Sequence, residues 1–185
     1  METLKPHQAA DLGMSASGLY RAARSGRYDK IARGIYREAD APASDWDWIE
    51  AATRRGDATI CLASGLAHYD LTDTIPTALD VAIPRGSRIP AGTSAIAWHL
   101  FDRKTFDLGR HQIEIPGSTM SIGIYSPERC IADAFRLRAD TGYELGRDAL
   151  REWLRRGGKP AQLMQLASQL PRTSGPLQRT IEALA

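Results

Sequence analysis

Residues 15–37 read SASGLYRAARSGRYDKIARGIYR, and this stretch decides the fold of the N-terminal part. Ser15 is a good N-cap, and Leu19, Ala22 and Ala23 then fall on one face of a helix that Gly26 stops. Tyr28–Ala32 and Ile35–Arg37 carry alternating β-branched and aromatic residues on either side of Arg33-Gly34, the signature of a hairpin. Upstream, Pro6 suits the first turn of a short helix to Leu12, which Gly13 ends. Helix, glycine turn, helix and hairpin over residues 1–40 predict a compact winged helix-turn-helix.

The charge pattern agrees with that unit being a nucleic-acid reader. The whole chain of 185 residues has a formal net charge of only +2. Residues 1–37 nevertheless hold seven Lys or Arg against three acids, while the remaining 148 hold 17 basic and 19 acidic side chains. A basic head on a nearly neutral platform suits a phosphate-rich partner. From the second helix, Tyr20, Arg21 and Arg24 have the length to reach base edges or phosphates in the major groove. Ser15 and Ser17 stand at its N-terminus, where hydroxyls and backbone N–H groups meet phosphate. Lys30, Arg33 and Arg37 would act from the hairpin as a wing.

A polar, proline-containing stretch at 38–45 marks a boundary, so residues 41–185 form a second unit. Asp45 can cap a helix running to about Arg55, followed by a short strand from Thr59 to Ala63 and a helical turn capped by Ser64. Strands are expected at Leu79–Ile83, Ala95–Leu100, Gln112–Ile115 and Met120–Tyr125. Ser126-Pro127 opens a helical end, with helices at Pro127–Arg138, Tyr143–Arg156, Ala161–Leu170 and Leu177–Leu184. The fold class is therefore α+β: the winged head, then a mixed sheet with helices gathered at the C-terminus. A composition of 43% hydrophobic and 25% charged residues excludes a disordered tail and a collagen-like repeat. No apolar run approaches the ~18 residues of a membrane span, and no leader pattern opens the chain. A cytoplasmic protein is expected.

Candidate chemistry is sparse. Cys61 and Cys130 form neither a metal motif nor a disulfide framework, and His68, His99 and His111 lie in different elements without paired spacing. No metal or cofactor is expected. Asp133 has Arg129 and Arg136 at helical spacing and reads as an ion-pair partner. One enzymatic pattern exists: Asp80 in a strand, then Asp102-Arg103-Lys104 after the next. A PD-(D/E)xK-type nuclease uses such residues to hold Mg²⁺ and polarise the attacking water. That activity is the alternative function; the same residues also read as a strand end entering a polar loop, and the chain is not expected to be an enzyme.

Four stretches together resemble the AbiEi family, the regulator half of bacterial AbiE-type toxin–antitoxin pairs. They are Gly18–Arg27 running into Ile31–Arg37, Ala63–Leu71 followed by Pro76, Asp80–Gly86, and Ser126–Asp133. The resemblance implies an antitoxin that represses its own operon by binding the promoter as double-stranded DNA. It further implies a C-terminal unit that counteracts a nucleotidyltransferase-like toxin, directly or functionally. Two copies on an inverted repeat, a homodimer on DNA, are the ordinary solution for so small a head. A stand-alone DNA-binding regulator without a toxin partner is the remaining alternative.

Overall fold

The computed structural model describes residue 4 and residues 6–32, 34–39, 46–91, 95–116 and 118–184, without the side chains of 11, 12, 31, 32, 35, 37 and 38. The N-terminal part opens with a 3-10 helix, Pro6–Leu12, and Gly13 ends it at φ +69°. Helix α1 (Ala16–Arg24) begins where cap chemistry says it should: the Ser15 hydroxyl accepts from the Gly18 N–H at 3.0 Å. Ser25 closes it, and Gly26 turns the chain at φ +79°. Strands β1 (Tyr28–Ala32) and β2 (Ile35–Glu38) pair antiparallel, with an irregularity between Lys30 and Ala32. Leu4 adds a bridge to Tyr36, and a small core of Leu4, Ala9, Leu19, Tyr28 and Tyr36 forms underneath.

Helix α2 (Trp46–Arg54) follows; the Asp45 cap expected for it, and the linker from residue 40 onward, lie outside the described residues. The sheet of the body has strand order β5-β4-β3-β7-β6. Its members are β3 (Thr59–Ile60), β4 (Leu79–Pro84), β5 (Ile96–Phe101), β6 (Arg110–Glu114) and β7 (Ser121–Tyr125). β4 lies antiparallel to β3 and parallel to β5, while β7 lies parallel to β3 and antiparallel to β6. The expected mixed sheet is present.

The alternation of side chains splits the core into two layers. Ile60, Val81, Ile122 and Ile124 pack with Ile49 and Ala51 of α2 on one face. Ala82, Phe101 and Tyr125 face the helices on the other. Those helices are α3 (Leu62–His68), α4 (Pro127–Arg136), α5 (Arg138–Thr141), α6 (Tyr143–Arg155), α7 (Pro160–Ala167) and α8 (Ser174–Leu184). Three expectations are corrected. The strand expected to reach Ala63 ends at Ile60, because Leu62 turns at φ +45° and starts α3 with Cys61 as its N-cap residue. Ser64, expected as the cap, instead lies inside α3, where its hydroxyl accepts from the Asp80 N–H at 2.8 Å. The helix expected from Pro127 to Arg138 breaks at Leu137 and resumes as α5.

Candidate nucleic-acid interface

The residues singled out on α1 emerge on one side of it. Ser17, Tyr20, Arg21 and Arg24 are spaced as helix neighbours and all are exposed, whereas Leu19 is fully buried against the hairpin and the 3-10 helix. Tyr20 is a large aromatic side chain left 47% exposed. Its ring meets Tyr36 edge-on at 5.9 Å, so the ring is braced from below. Burial, and then the neighbouring Tyr20, raise the Tyr36 hydroxyl above its ordinary range, so it stays a neutral donor or acceptor.

Lys30 projects from β1 into the same region. Between α1 and the hairpin lies a hollow of about 270 Å3 lined by Tyr20, Ala23, Arg24, Lys30 and Tyr36. Two cations and two phenolic rings therefore share one concavity, with no carboxylate among its described lining residues. Ser15 is occupied as the α1 cap, so its hydroxyl serves the helix first. Arg33 lies outside the described residues, and so does the side chain of Arg37. Arg27, exposed in the turn before β1, adds a cation that the motif reading passed over although it stood in the charge count.

The body separates the acids and lysine of the nuclease pattern. Asp80 pairs opposite Ala97, whereas Asp102 follows Phe101, which pairs with Pro84 at the other end of the same two strands. Asp102 accepts from the Lys104 N–H at 2.8 Å, capping a 3-10 turn over Arg103–Thr105. Asp80 is engaged elsewhere: His99 Nε2 donates to its Oδ1 at 2.8 Å, and the Ser64 N–H donates to its Oδ2 at 3.3 Å. No group of three or more His, Cys, Asp or Glu placed to hold a metal occurs among the described residues. His111 meets the Tyr69 hydroxyl at 3.2 Å, and His68 packs between Trp48 and Tyr69.

Asp133 proves to be paired with both arginines. Arg129 Nε donates to one carboxylate oxygen at 2.8 Å and Arg136 Nε to the other at 2.9 Å. Arg129 also donates to the Thr105 and Leu108 carbonyls, and its guanidinium lies 4.3 Å from the Tyr125 ring centre. This cluster fastens the β5–β6 connection to α4. No helix among the described residues is long and apolar enough to cross a membrane.

Residues 2–39 match a family model described as transcriptional regulator, AbiEi antitoxin. No curated protein matches the chain. Among solved structures, the RV2827C protein from Mycobacterium tuberculosis is similar in fold, with a TM-score of 0.59 and 16% identity, over all of this chain and 76% of that one.

Proposed function

We propose that this chain, whose residues 2–39 match the AbiEi transcriptional-regulator model, is the antitoxin of a bacterial toxin–antitoxin pair and a repressor of its own operon. The observation that carries the proposal is the shared face of α1, where Ser17, Tyr20, Arg21 and Arg24 stand exposed beside Lys30 of the hairpin. In this reading the N-terminal segment is a winged helix-turn-helix. Helix α1 enters the major groove, Tyr20, Arg21 and Arg24 approach base edges, and Ser15 and Ser17 meet the flanking phosphate. Lys30, Arg33 and Arg37 hold the backbone through the wing. The body, residues 41–185, opposes a nucleotidyltransferase-like toxin, and two copies occupy an inverted repeat.

Electrophoretic titration of the chain on its own promoter tests the DNA half. If about five basic residues meet phosphates, the logarithm of affinity falls with the logarithm of salt at a slope near −4 to −5. A salt-independent affinity removes the assignment. Arg21→Ala and Arg24→Ala each cost about 1–3 kcal/mol where they contact bases and less where they touch phosphate alone. Growth rescue tests the antitoxin half: the neighbouring gene is induced in a heterologous bacterium with and without this protein. Arrest that the chain relieves supports an antitoxin, and toxicity it cannot relieve leaves a stand-alone DNA-binding regulator.

A further inference from the structure

Between the start of α2, α3 and the beginning of β4 lies a cavity that the DNA-binding reading does not use. It measures about 520 Å3 and is walled by α2, α3, the chain before β4 and the residue before β5. Trp46, Trp48, His68, Pro76 and Leu79 give it an aromatic and apolar lining. The cavity opens to solvent, and its volume is of the order of small-molecule sites. The Trp48 and His68 rings stand 5.4 Å apart at 48° to one another, making a tilted aromatic wall. Ser64 on the floor is held by Asp80, which is held in turn by His99, so the polar part of the site is rigid.

The lining also selects by charge. Among the described residues it has no Lys or Arg, and Asp47 contributes a carboxylate. An anion placed there would meet the Asp47 carboxylate, with no Lys or Arg among the described lining residues to offset it. A flat ring, neutral or positively charged, gains contact with the indoles and, if charged, cation–π attraction. Helix α2 then links the cavity to the head: Trp46 and Trp48 form its wall, and the same helix packs against β1 of the hairpin.

We propose that this cavity binds a neutral or cationic flat heteroaromatic small molecule, and that its occupancy alters DNA binding through α2. The second part rests on the DNA-binding reading above; the first does not. Coupling of this kind is reciprocal, so promoter DNA changes the affinity for the ring compound by the same factor.

Calorimetric titration of the full chain with N-methylquinolinium, adenine and quinoline-2-carboxylate separates the cases. The cation or the neutral ring is expected to bind saturably with one site and a Kd below about 1 mM, and the anion not at all. Ala67→Leu fills the cavity from α3 and is expected to weaken binding at least tenfold while the unliganded protein keeps its thermal midpoint; Trp48→Leu is expected to do the same to binding. No saturable binding of either ring, equal binding of the anion, or an Ala67→Leu variant that binds as the parent does overturns the site. Saturating ring compound is expected to change promoter affinity about fivefold or more in the parent and not in Ala67→Leu. An unchanged promoter affinity overturns the coupling. A chain that binds the ring compound but never the promoter overturns the DNA-binding reading and leaves the cavity standing.

Discussion

Asp133 answers two guanidiniums with its two oxygens, and both it and Arg129 are fully buried. Removing one member of such a set leaves a charge stranded in low dielectric. Asp133→Ala is therefore expected to cost about 3–5 kcal/mol in urea unfolding, the cost range of breaking a buried pair. Arg136→Ala, whose side chain is partly exposed, is expected to cost clearly less, and an equal loss would contradict this assignment. The buried thiols make a second prediction. Burial pushes Cys61 and Cys130 well above the ordinary thiol range, and the nearby carboxylates Asp80 and Asp133 add to the effect. Tyr69 and Tyr125 are raised for the same first reason. Folded values above unfolded ones mean a contribution fully present below the unfolded thiol value and lost as pH rises past about 8.5. The urea midpoint is expected to fall on that alkaline side. At pH 8 both thiols are expected to ignore a thiol reagent until the chain is denatured, and a thiol labelled in the native protein would refute the burial argument. Gly65 is the residue that makes room for this arrangement, since a Cβ there would stand 2.5 Å from Cys130 Sγ.

Individual elements differ in how far their sequence announces them. Ser15 and Ser126 both act as N-caps in the way local chemistry predicts, accepting from Gly18 and Arg129. Replacing Ser15 with Ala is expected to cost about 0.5–2 kcal/mol of stability by differential scanning calorimetry, whereas Ser17→Ala, exposed and outside the cap, is expected to leave the melting temperature unchanged. If both hydroxyls meet phosphate, both variants weaken promoter binding. A Ser17→Ala protein that melts early would mean that the hydroxyl serves the helix instead. Helices α1 and α6, the start of α4 and the positions of β4, β5 and β7 were readable because caps, glycine turns and apolar periodicity act over a few residues. The start of α3 was not, because Cys61 gives no capping signal and the bond that draws Ser64 into the helix comes from Asp80 on another strand. The same holds for the sites. Tyr20, Arg21 and Arg24 share a helix face that the sequence displays, whereas the cavity behind Trp48 joins four separated segments that no spacing relates. The nuclease pattern fails for the converse reason: three residues close in sequence lie at the far end of a strand pair from Asp80.

Across the whole molecule, the two parts differ in how much core they own. Among its described residues the N-terminal segment buries Leu4, Ala9, Leu19, Tyr28 and Tyr36, with Met14, Ala22 and Ala23 packed against them. Units below about 40 residues seldom bury enough surface to stand alone without disulfides, metals or a partner. Contact between α2 and β1 supplies part of that support from the body. The body has two extensive apolar layers on the faces of one sheet, and among the described residues neither includes a member from the head. A fragment spanning 46–185 is accordingly expected to unfold cooperatively in urea, with an m-value lower than that of the full chain by roughly a quarter, in proportion to the surface removed. A fragment spanning 1–45 is expected to show no cooperative transition and no near-ultraviolet circular dichroism from Tyr20, Tyr28 and Tyr36. Mixing the two fragments is expected to restore that signal, because α2 offers the head the surface it lacks. A head fragment that melts cooperatively by itself would mean that its small core suffices. The route from the aromatic cavity through α2 would then have a self-supporting unit to move rather than one it helps to fold.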